Sequence, residues 1–197
     1  MRLVGLGISW TIATFAGYVL ATFLGIGSFL GISILLGCNL RSILPAPDSC
    51  SDLHYLSLLL ATLIGGAGLG LTQFAILRLF RVPTNAWWIP ATCLGFAIPV
   101  ALEIGFTARI SLLGGTSFFL LLGLSLGTAQ WLILRRRVPK SAIWIAATVI
   151  STLVAGLVSS WTVGSPFIWL VVGAGTALTL IWLIRPGLLR ESAENGA

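Results

Sequence analysis

Charged side chains are scarce in this chain of 197 residues, at 8% of the total, and only five of them are acidic. An ordinary soluble domain carries about 25% charged residues. Because 57% of the chain is hydrophobic, too few polar side chains remain to cover a soluble exterior. The composition therefore excludes a cytosolic enzyme or a secreted domain. It indicates a membrane protein, because lipid accepts an apolar exterior.

Residues that hold metals or perform catalysis are also rare, with one His and three Cys. His54 has only Asp52 near it in the sequence, which is too little for a metal site. The chain contains no Cys-x-x-Cys pair, no phosphate-binding Gly loop with a Lys, and no Ser/His/Asp set. We therefore predict no metal, no cofactor and no enzymatic activity.

Basic residues outnumber acidic ones and give a net charge of +6. In a soluble protein this excess would suggest nucleic acid, because Lys and Arg neutralise phosphates. Here nine of the 11 basic residues lie beside the ends of apolar runs, as cytoplasmic flanks do. They are Arg2, Arg78, Arg81, Arg135, Arg136, Arg137, Lys140, Arg185 and Arg190. Only Arg41 and Arg109 remain for the outer face, so we predict cytoplasmic termini and no nucleic-acid partner.

Six apolar runs predict six transmembrane helices, at about 3–37, 53–77, 87–107, 112–134, 142–162 and 166–184. The first run, of roughly 52 Å as a helix, exceeds a hydrocarbon core of about 30 Å. We expect a bend at Gly25, Gly27 or Gly31, or a projection of 29–38 beyond the membrane. The length of this run disfavours a cleaved leader and a lipidated Cys38.

An internal repeat relates the odd-numbered runs, in which Trp-x-x-Ala-Thr begins at Trp10, Trp88 and Trp144. A stripe of mostly small residues continues at steps of four and predicts close helix contacts. Its members are Ala13, Gly17, Ala21 and Gly25 in the first run, Ala91, Gly95, Pro99 and Glu103 in the third, and Ala147, Ser151, Ala155 and Ser159 in the fifth.

The even-numbered runs repeat as well. Gly66-x-x-x-Gly70-x-x-Gln73-Phe74-x-x-Leu77-Arg78 aligns with Gly123-x-x-x-Gly127-x-x-Gln130-Trp131-x-x-Leu134-Arg135. A weaker third copy, Gly173-x-x-x-Ala177-x-x-Leu180, places Leu180 at the Gln position. We therefore predict an all-α membrane protein of six helices in three hairpins, at about 3–80, 81–136 and 137–187. They form one domain over 1–190, with an external loop at 39–52 and a short polar tail at 191–197.

These paired motifs resemble small multi-pass membrane proteins that are frequent in cyanobacteria and some other bacteria, most of them uncharacterised. The resemblance covers residues 10–185 and implies the hairpin architecture, but no activity, cofactor or catalytic residue. Leu180 and the loop 39–52 depart from the usual pattern. The implied location is the bacterial inner membrane or a thylakoid.

Polar residues within the apolar runs are the candidate site residues. Gln73 and Gln130 share a face with the Gly-x-x-x-Gly contacts, where they are predicted to bond between helices, to each other or to Thr14, Thr72 or Thr128. The alternative role of the two glutamines is a polar pore lining. Glu103 is the one acid inside an apolar run, near Pro99. It is either a proton or cation site or an outer-interface acid bonded to the Arg109 loop or to a hydroxyl.

The remaining Trp and Cys residues have ordinary interpretations. The Trp residues beside loops are predicted to form interfacial belts, and they are Trp87, Trp88, Trp144, Trp161 and Trp169. Trp10, Trp131 and Trp182 lie deeper in the runs, where we predict packing in the core, with contact to a pigment or a lipid as the alternative. Cys38 and Cys50 are either free or joined by a disulfide on the outer side, where a bridge would contribute about 3 kcal/mol. Cys93 is predicted to be a free apolar side chain.

Two functions follow as hypotheses. The first is a non-enzymatic scaffold, assembly or binding bundle, whose partners are membrane lipids and another membrane protein or a second copy of the chain. The alternative is a small transporter or channel with Glu103 as its intramembrane site.

Overall fold

The computed structural model describes residues 2–35, 51–82, 84–107, 115–159 and 168–194. These residues form six α-helices and no strand, which confirms the all-helical class. The helices are α1 (Arg2–Leu35), α2 (Ser51–Leu79), α3 (Trp88–Thr107), α4 (Gly115–Leu134), α5 (Ile143–Ser159) and α6 (Ile168–Glu194). Three of them contain segments long and apolar enough to cross a membrane, at Leu3–Ile32, Tyr55–Leu79 and Thr116–Leu134.

The long first run forms one continuous helix of 34 residues. At 1.5 Å per residue, α1 is about 51 Å long. Gly25 packs close to α2, since a Cβ there would lie 3.4 Å from the carbonyl oxygen of Ala61, whereas Gly27 and Gly31 have nothing within 4 Å. The predicted external loop 39–52 lies outside the described residues except at its end, where α2 begins at Ser51.

The six helices form a closed ring, in which each helix packs against the next and α6 returns to α1. The outside of this ring is apolar. Phe23 is 74% exposed on α1, Ile150 is 61% exposed on α5, and Leu178 is 70% exposed on α6. Exposed apolar surface around a whole ring of helices is costly in water and favourable in lipid.

The Gly-x-x-x-Gly motifs of α2 and α4 bring each helix against the next helix of the ring. A Cβ at Gly66 would lie 2.9 Å from the Cα of Cys93, and a Cβ at Gly123 would lie 2.7 Å from the Cα of Val149. Side chains do not approach a backbone so closely, so only glycine permits this helix separation. The motifs therefore join α2 to α3 and α4 to α5, across the boundaries between hairpins.

The small-residue stripes of α1 and α3 make the complementary contact, within each hairpin. A Cβ at Gly95 on α3 would lie 2.6 Å from the Cα of Leu126 on α4. In the first hairpin, a Cβ at Gly65 on α2 would lie 3.1 Å from the carbonyl oxygen of Ala21 on α1. Contacts within hairpins thus alternate around the ring with contacts between hairpins.

The third hairpin corrects the predicted alignment by one helical turn. Gly70 and Gly127 each lie against the residue after a repeat Trp, with Cβ positions 3.0 Å from Ile89 Cα and 3.1 Å from Ile145 Cα. Gly173 makes this same contact, with a Cβ position 3.1 Å from Thr11 Cα. Gly173 therefore corresponds to the second Gly of the motif and not to the first.

This shift changes which residue of α6 replaces the glutamine. Counting three residues from the second Gly gives Gln73, Gln130 and Thr176, so the prediction that Leu180 occupies the Gln position is wrong. Leu180 corresponds instead to Leu77 and Leu134, and all three are at most 1% exposed. Small residues recur every four positions, so an alignment of apolar helices without gaps is ambiguous by one turn.

The glycine contacts predict the stability of two matched variants. Gly123→Ala adds a methyl group against the backbone of α5 and should lower the free energy of unfolding by about 1–3 kcal/mol, the usual effect of overpacking. Gly27→Ala adds the same group in open space and should leave the stability unchanged or slightly higher. Unfolding in mixed micelles, followed by circular dichroism, measures both. Equal stability of the two variants would contradict the close contact of α4 with α5.

Candidate functional site

Three tryptophans, one from each copy of Trp-x-x-Ala-Thr, meet at the centre of the ring. Trp10, Trp88 and Trp144 are all 0% exposed. Their ring centroids lie 5.9–6.1 Å apart in three edge-to-face pairs with interplanar angles of 66–79°. Each such pair contributes about 0.5–1.5 kcal/mol beyond its buried area. This Trp triad closes the space between α1, α3 and α5 at its level.

Each indole of the Trp triad donates a hydrogen bond to an even-numbered helix. The Nε1 of Trp88 donates to Gln73 Oε1 at 3.3 Å, and the Nε1 of Trp144 donates to Gln130 Oε1 at 3.0 Å. In the third copy, Trp10 Nε1 donates to Thr176 Oγ1 at 3.0 Å. Thr176 therefore performs the acceptor role of the glutamine, as the corrected alignment of α6 requires.

The two glutamines also bond to each other and to the threonines of the repeat. Gln130 Nε2 donates to Gln73 Oε1 at 3.2 Å and to Thr92 Oγ1 at 3.1 Å. Gln73 Nε2 donates to Thr14 Oγ1 at 3.3 Å. Of the predicted partners, Thr14 is used, whereas the hydroxyl of Thr72 donates to its own helix at Leu69 and Thr128 is exposed. The Trp triad, the two glutamines and the three threonines that accept these bonds together form the Trp–Gln–Thr network; the threonines are Thr14, Thr92 and Thr176.

The polar side-chain atoms of the Trp–Gln–Thr network bond to one another, and each of them has a hydrogen-bond partner. Among the described residues, the one buried side-chain polar atom without a partner is Thr84 Oγ1, in the turn before α3. Indoles, amides and hydroxyls do not titrate near neutral pH. The network can therefore join helices firmly, but it contains no acid, base or activated nucleophile.

The connection between α2 and α3 packs against one end of the Trp triad. Val82 N donates to Leu77 O at 2.8 Å and Arg81 N donates to Arg78 O at 3.1 Å, which is a Schellman helix end. Arg81 takes the left-handed position that glycine usually occupies, with φ at 57°. Val82 is thereby turned into the apolar cluster of the triad. In the connection between α4 and α5, Val138 reaches the same cluster, and its N donates to Leu134 O at 2.8 Å.

A second aromatic cluster fills the ring farther along α1 and α3. Trp169 of α6 is 7% exposed. It stacks on Tyr18 with a centroid distance of 4.2 Å and on Phe96 at 6.0 Å. Both partners lie eight residues after a repeat Trp, so one residue of α6 packs against equivalent positions of two repeats.

The tryptophans show where sequence reasoning was wrong. Trp88, Trp144 and Trp169 were predicted to lie in interfacial belts, yet all three are buried inside the ring. Trp87, next to Trp88, is 67% exposed and has the predicted surface position. Trp182 was predicted to pack in the core, and this prediction is wrong, because Trp182 is 50% exposed on α6. A Trp near a helix end can lie either at the membrane interface or inside the bundle, so its position in the sequence does not distinguish the two. The threefold recurrence of Trp-x-x-Ala-Thr was the feature that could have indicated a shared centre.

The other candidate residues lie away from the network or outside the described residues. Glu103 is half-buried near the end of α3, fifteen residues and about 22 Å from the Trp triad, and Pro99 is buried one turn before it. Arg109, Cys38 and Cys50 lie outside the described residues, so their predicted roles stay predictions. Within the described part of the chain, no three metal-ligating side chains of His, Cys, Asp or Glu come together.

Two clefts of the described structure bear on binding. One, of about 230 Å³, lies between α1 and α2 and is lined mainly by small and apolar residues, among them Gly25, Ala61 and Gly65, together with Tyr18 and with Phe96 of α3. The other, of about 430 Å³, lies where α4 ends, beside Trp87 and three consecutive arginines. Glu103 lines neither of these two clefts.

Comparison with known proteins adds nothing to this geometry. No family model, no curated protein and no solved structure matches the chain. The site is therefore interpreted from its own contacts.

A double-mutant cycle tests the bond between the glutamines. Gln73→Leu and Gln130→Leu each leave buried donors without acceptors and should each lower the free energy of unfolding by about 1–3 kcal/mol. Since both variants break the same bond, their combination should be less destabilising than the sum by at least about 0.5 kcal/mol. Unfolding in mixed micelles measures the cycle.

Thr128→Val, at an exposed position of the same helix, is the control for the glutamine cycle and should have an effect close to zero. Strictly additive effects of the two glutamine variants would show that they do not interact.

A second pair of variants tests the one-turn shift of α6. Leu180→Gln would restore the motif if Leu180 were the third glutamine position. Because Leu180 packs among Leu77, Leu134 and the Trp triad, we expect the Leu180→Gln substitution to lower the free energy of unfolding by roughly 2–3 kcal/mol. Leu180→Met keeps an apolar side chain of similar volume and should cost less than about 1.5 kcal/mol. A neutral or stabilising Leu180→Gln, measured by the same unfolding assay, would contradict the shift.

Proposed function

We propose that this protein is a non-enzymatic integral membrane protein, a helical bundle that acts as a scaffold or assembly factor by binding lipids and a second membrane protein. The Trp–Gln–Thr network carries this proposal. Its polar atoms are used to join α1 to α6, α2 to α3 and α4 to α5, and its indoles fill the centre of the ring. An interior of this kind supports a rigid body with recognition on its outside.

The proposal includes six membrane spans with both termini in the cytoplasm. Three helices meet the length and hydropathy of a span, and α3, α5 and α6 have shorter apolar segments packed beside them in the same ring. The alternating direction of the helices brings the connections 80–87 and 135–142 to one end, together with the start of α1 and the end of α6. Nine of the 11 basic residues lie at that end, which supports a cytoplasmic orientation.

The proposed location is the bacterial inner membrane or a thylakoid. The exposed apolar exterior and the resemblance of the paired motifs to multi-pass proteins of cyanobacteria support a membrane of this kind.

Topology and binding are tested on the full chain in two steps. Reporter fusions after Thr84, Lys140 and the carboxyl terminus should all be cytoplasmic, and a reporter in the 39–52 loop should be external. Extraction of native membranes in mild detergent, followed by native mass spectrometry, should then show the chain with bound lipid and with a second copy or a membrane protein in fixed ratio. A chain that runs alone, without lipid or partner, would contradict the binding role.

Glu103 keeps transport as the alternative, since it is a half-buried carboxyl inside an apolar helix. The Trp triad opposes a pore along the ring axis, because the three indoles leave no opening between α1, α3 and α5 at their level. Proton flux into liposomes containing the wild-type chain should therefore match that of empty liposomes. If the wild-type chain conducts protons and the Glu103→Gln variant does not, the protein is a transporter and the scaffold proposal is wrong.

A further inference from the structure

The cleft at the end of α4 has apolar side chains on one side and basic side chains on the other. This order matches a phospholipid, in which apolar acyl chains are followed by a phosphate headgroup. The cleft has a volume of about 430 Å³ and is lined by Asn85, Trp87, Leu132, Ile133 and the three arginines Arg135, Arg136 and Arg137. Across the end of α4 the lining changes within about one turn from the aliphatic Leu132 and Ile133 to guanidinium groups. Along a phospholipid at a membrane surface, the polarity changes over a similar distance, from the acyl chains to the phosphate group.

The backbone holds the arginines in place. Arg135 N donates to Trp131 O at 2.8 Å, and Arg137 N donates to Leu134 O at 2.9 Å, so both lie in the hydrogen-bonded turn that directly follows α4. Val138, directly after them, is 6% exposed and anchors the chain in the core. The Arg135 guanidinium lies 5.3 Å from the centroid of the Trp131 ring. Basic residues at a helix carboxyl end also interact favourably with the helix dipole.

The two connections that border the cleft are basic and carry no acidic residue. Neither connection, 80–87 or 135–142, contains an Asp or a Glu. All three arginines are exposed, and Trp87 opposite them is exposed beside the buried Trp88. Exposed Trp and Arg side chains together suit the interfacial region, where indoles lie at the level of lipid headgroups and guanidinium groups bind phosphate.

The internal repeat shows that the run of three arginines occurs only after the even-numbered helix of the second hairpin. Arg78, the counterpart of Arg135, stacks on Phe74 in the same way, with its guanidinium 5.5 Å from the ring centroid. The next two residues are Leu79 and Phe80 in the first hairpin, but Arg136 and Arg137 in the second. A cytoplasmic flank needs only a positive charge near the helix end, so the two additional arginines exceed what orientation requires.

We propose that this cleft binds the phosphate headgroup of an anionic phospholipid, with Arg136 and Arg137 on the phosphate and Leu132 and Ile133 against the upper acyl chain. Trp87 and Asn85 border the headgroup from the side of α3. The proposal rests on the membrane placement given under the proposed function, with this end of the bundle at the cytoplasmic surface.

The test compares lipid retention by the full chain and by charge-matched variants. The purified protein in mild detergent is titrated with phosphatidylglycerol or phosphatidylcholine, and bound lipid is counted by native mass spectrometry. We expect the wild type to prefer phosphatidylglycerol. Arg136→Gln/Arg137→Gln should weaken its binding by about 25-fold, since each basic residue near an anionic surface contributes about fivefold. Arg81→Gln/Arg185→Gln loses the same charge outside the cleft and should retain most of the binding.

Three results would overturn the proposal: equal binding of the two lipids, wild-type binding by the Arg136/Arg137 variant, or an equal loss in both double variants. Arg136→Lys/Arg137→Lys keeps the charge without the planar guanidinium fork and should restore part of the binding. Competition by soluble glycerol phosphate at the lipid concentration would assign the arginines to a free phosphate compound and would also overturn the lipid assignment. The reporter fusions detect a wrong orientation separately, so failure of the cleft and failure of the topology are distinguishable.

Discussion

An indole N–H enclosed by helices must find an acceptor, and the rest of this structure is arranged around three such donors. In apolar surroundings an unpaired donor is unfavourable, because no water is present to accept its hydrogen bond. Trp10, Trp88 and Trp144 meet this constraint by crossing to the neighbouring helix, where an amide or hydroxyl oxygen accepts. Each crossing joins two hairpins. The closure of the ring and the meeting of the aromatic faces at its centre follow from the same three residues.

The close approach of the helices makes these hydrogen bonds possible. Gly70 and Gly127 hold α2 and α4 against the backbones of α3 and α5, which brings Gln73 and Gln130 within reach of the indoles. Gly173 does the same for α6 against α1. Interhelical hydrogen bonds in membranes contribute only about 0.6 kcal/mol each on average, so packing must supply most of the association. Glycine contacts and hydrogen bonds thus depend on each other at every junction between hairpins.

The threefold repeat is imperfect in a chemically consistent way. Two copies use glutamine, which can accept from an indole and donate to a neighbour at once. The third copy uses Thr176, whose hydroxyl accepts from Trp10 and donates to the backbone of its own helix at Val172, 2.7 Å away. The link between the glutamines therefore exists at one place, between Gln130 and Gln73. The ring has three similar junctions but a single asymmetric polar centre.

The sequence by itself determined the helical class, the apolar character and the two repeated motifs, because composition and spacing express these properties locally. It also identified Gln73, Gln130 and the Gly-x-x-x-Gly contacts as residues between helices. Only the tertiary structure decided that Trp88 and Trp144 are central and not interfacial, since a Trp beside a helix end suits both places. It also decided that Thr176, not Leu180, completes the third copy, because small residues repeat every turn and only the contact of Gly173 with Thr11 shows which turn is used.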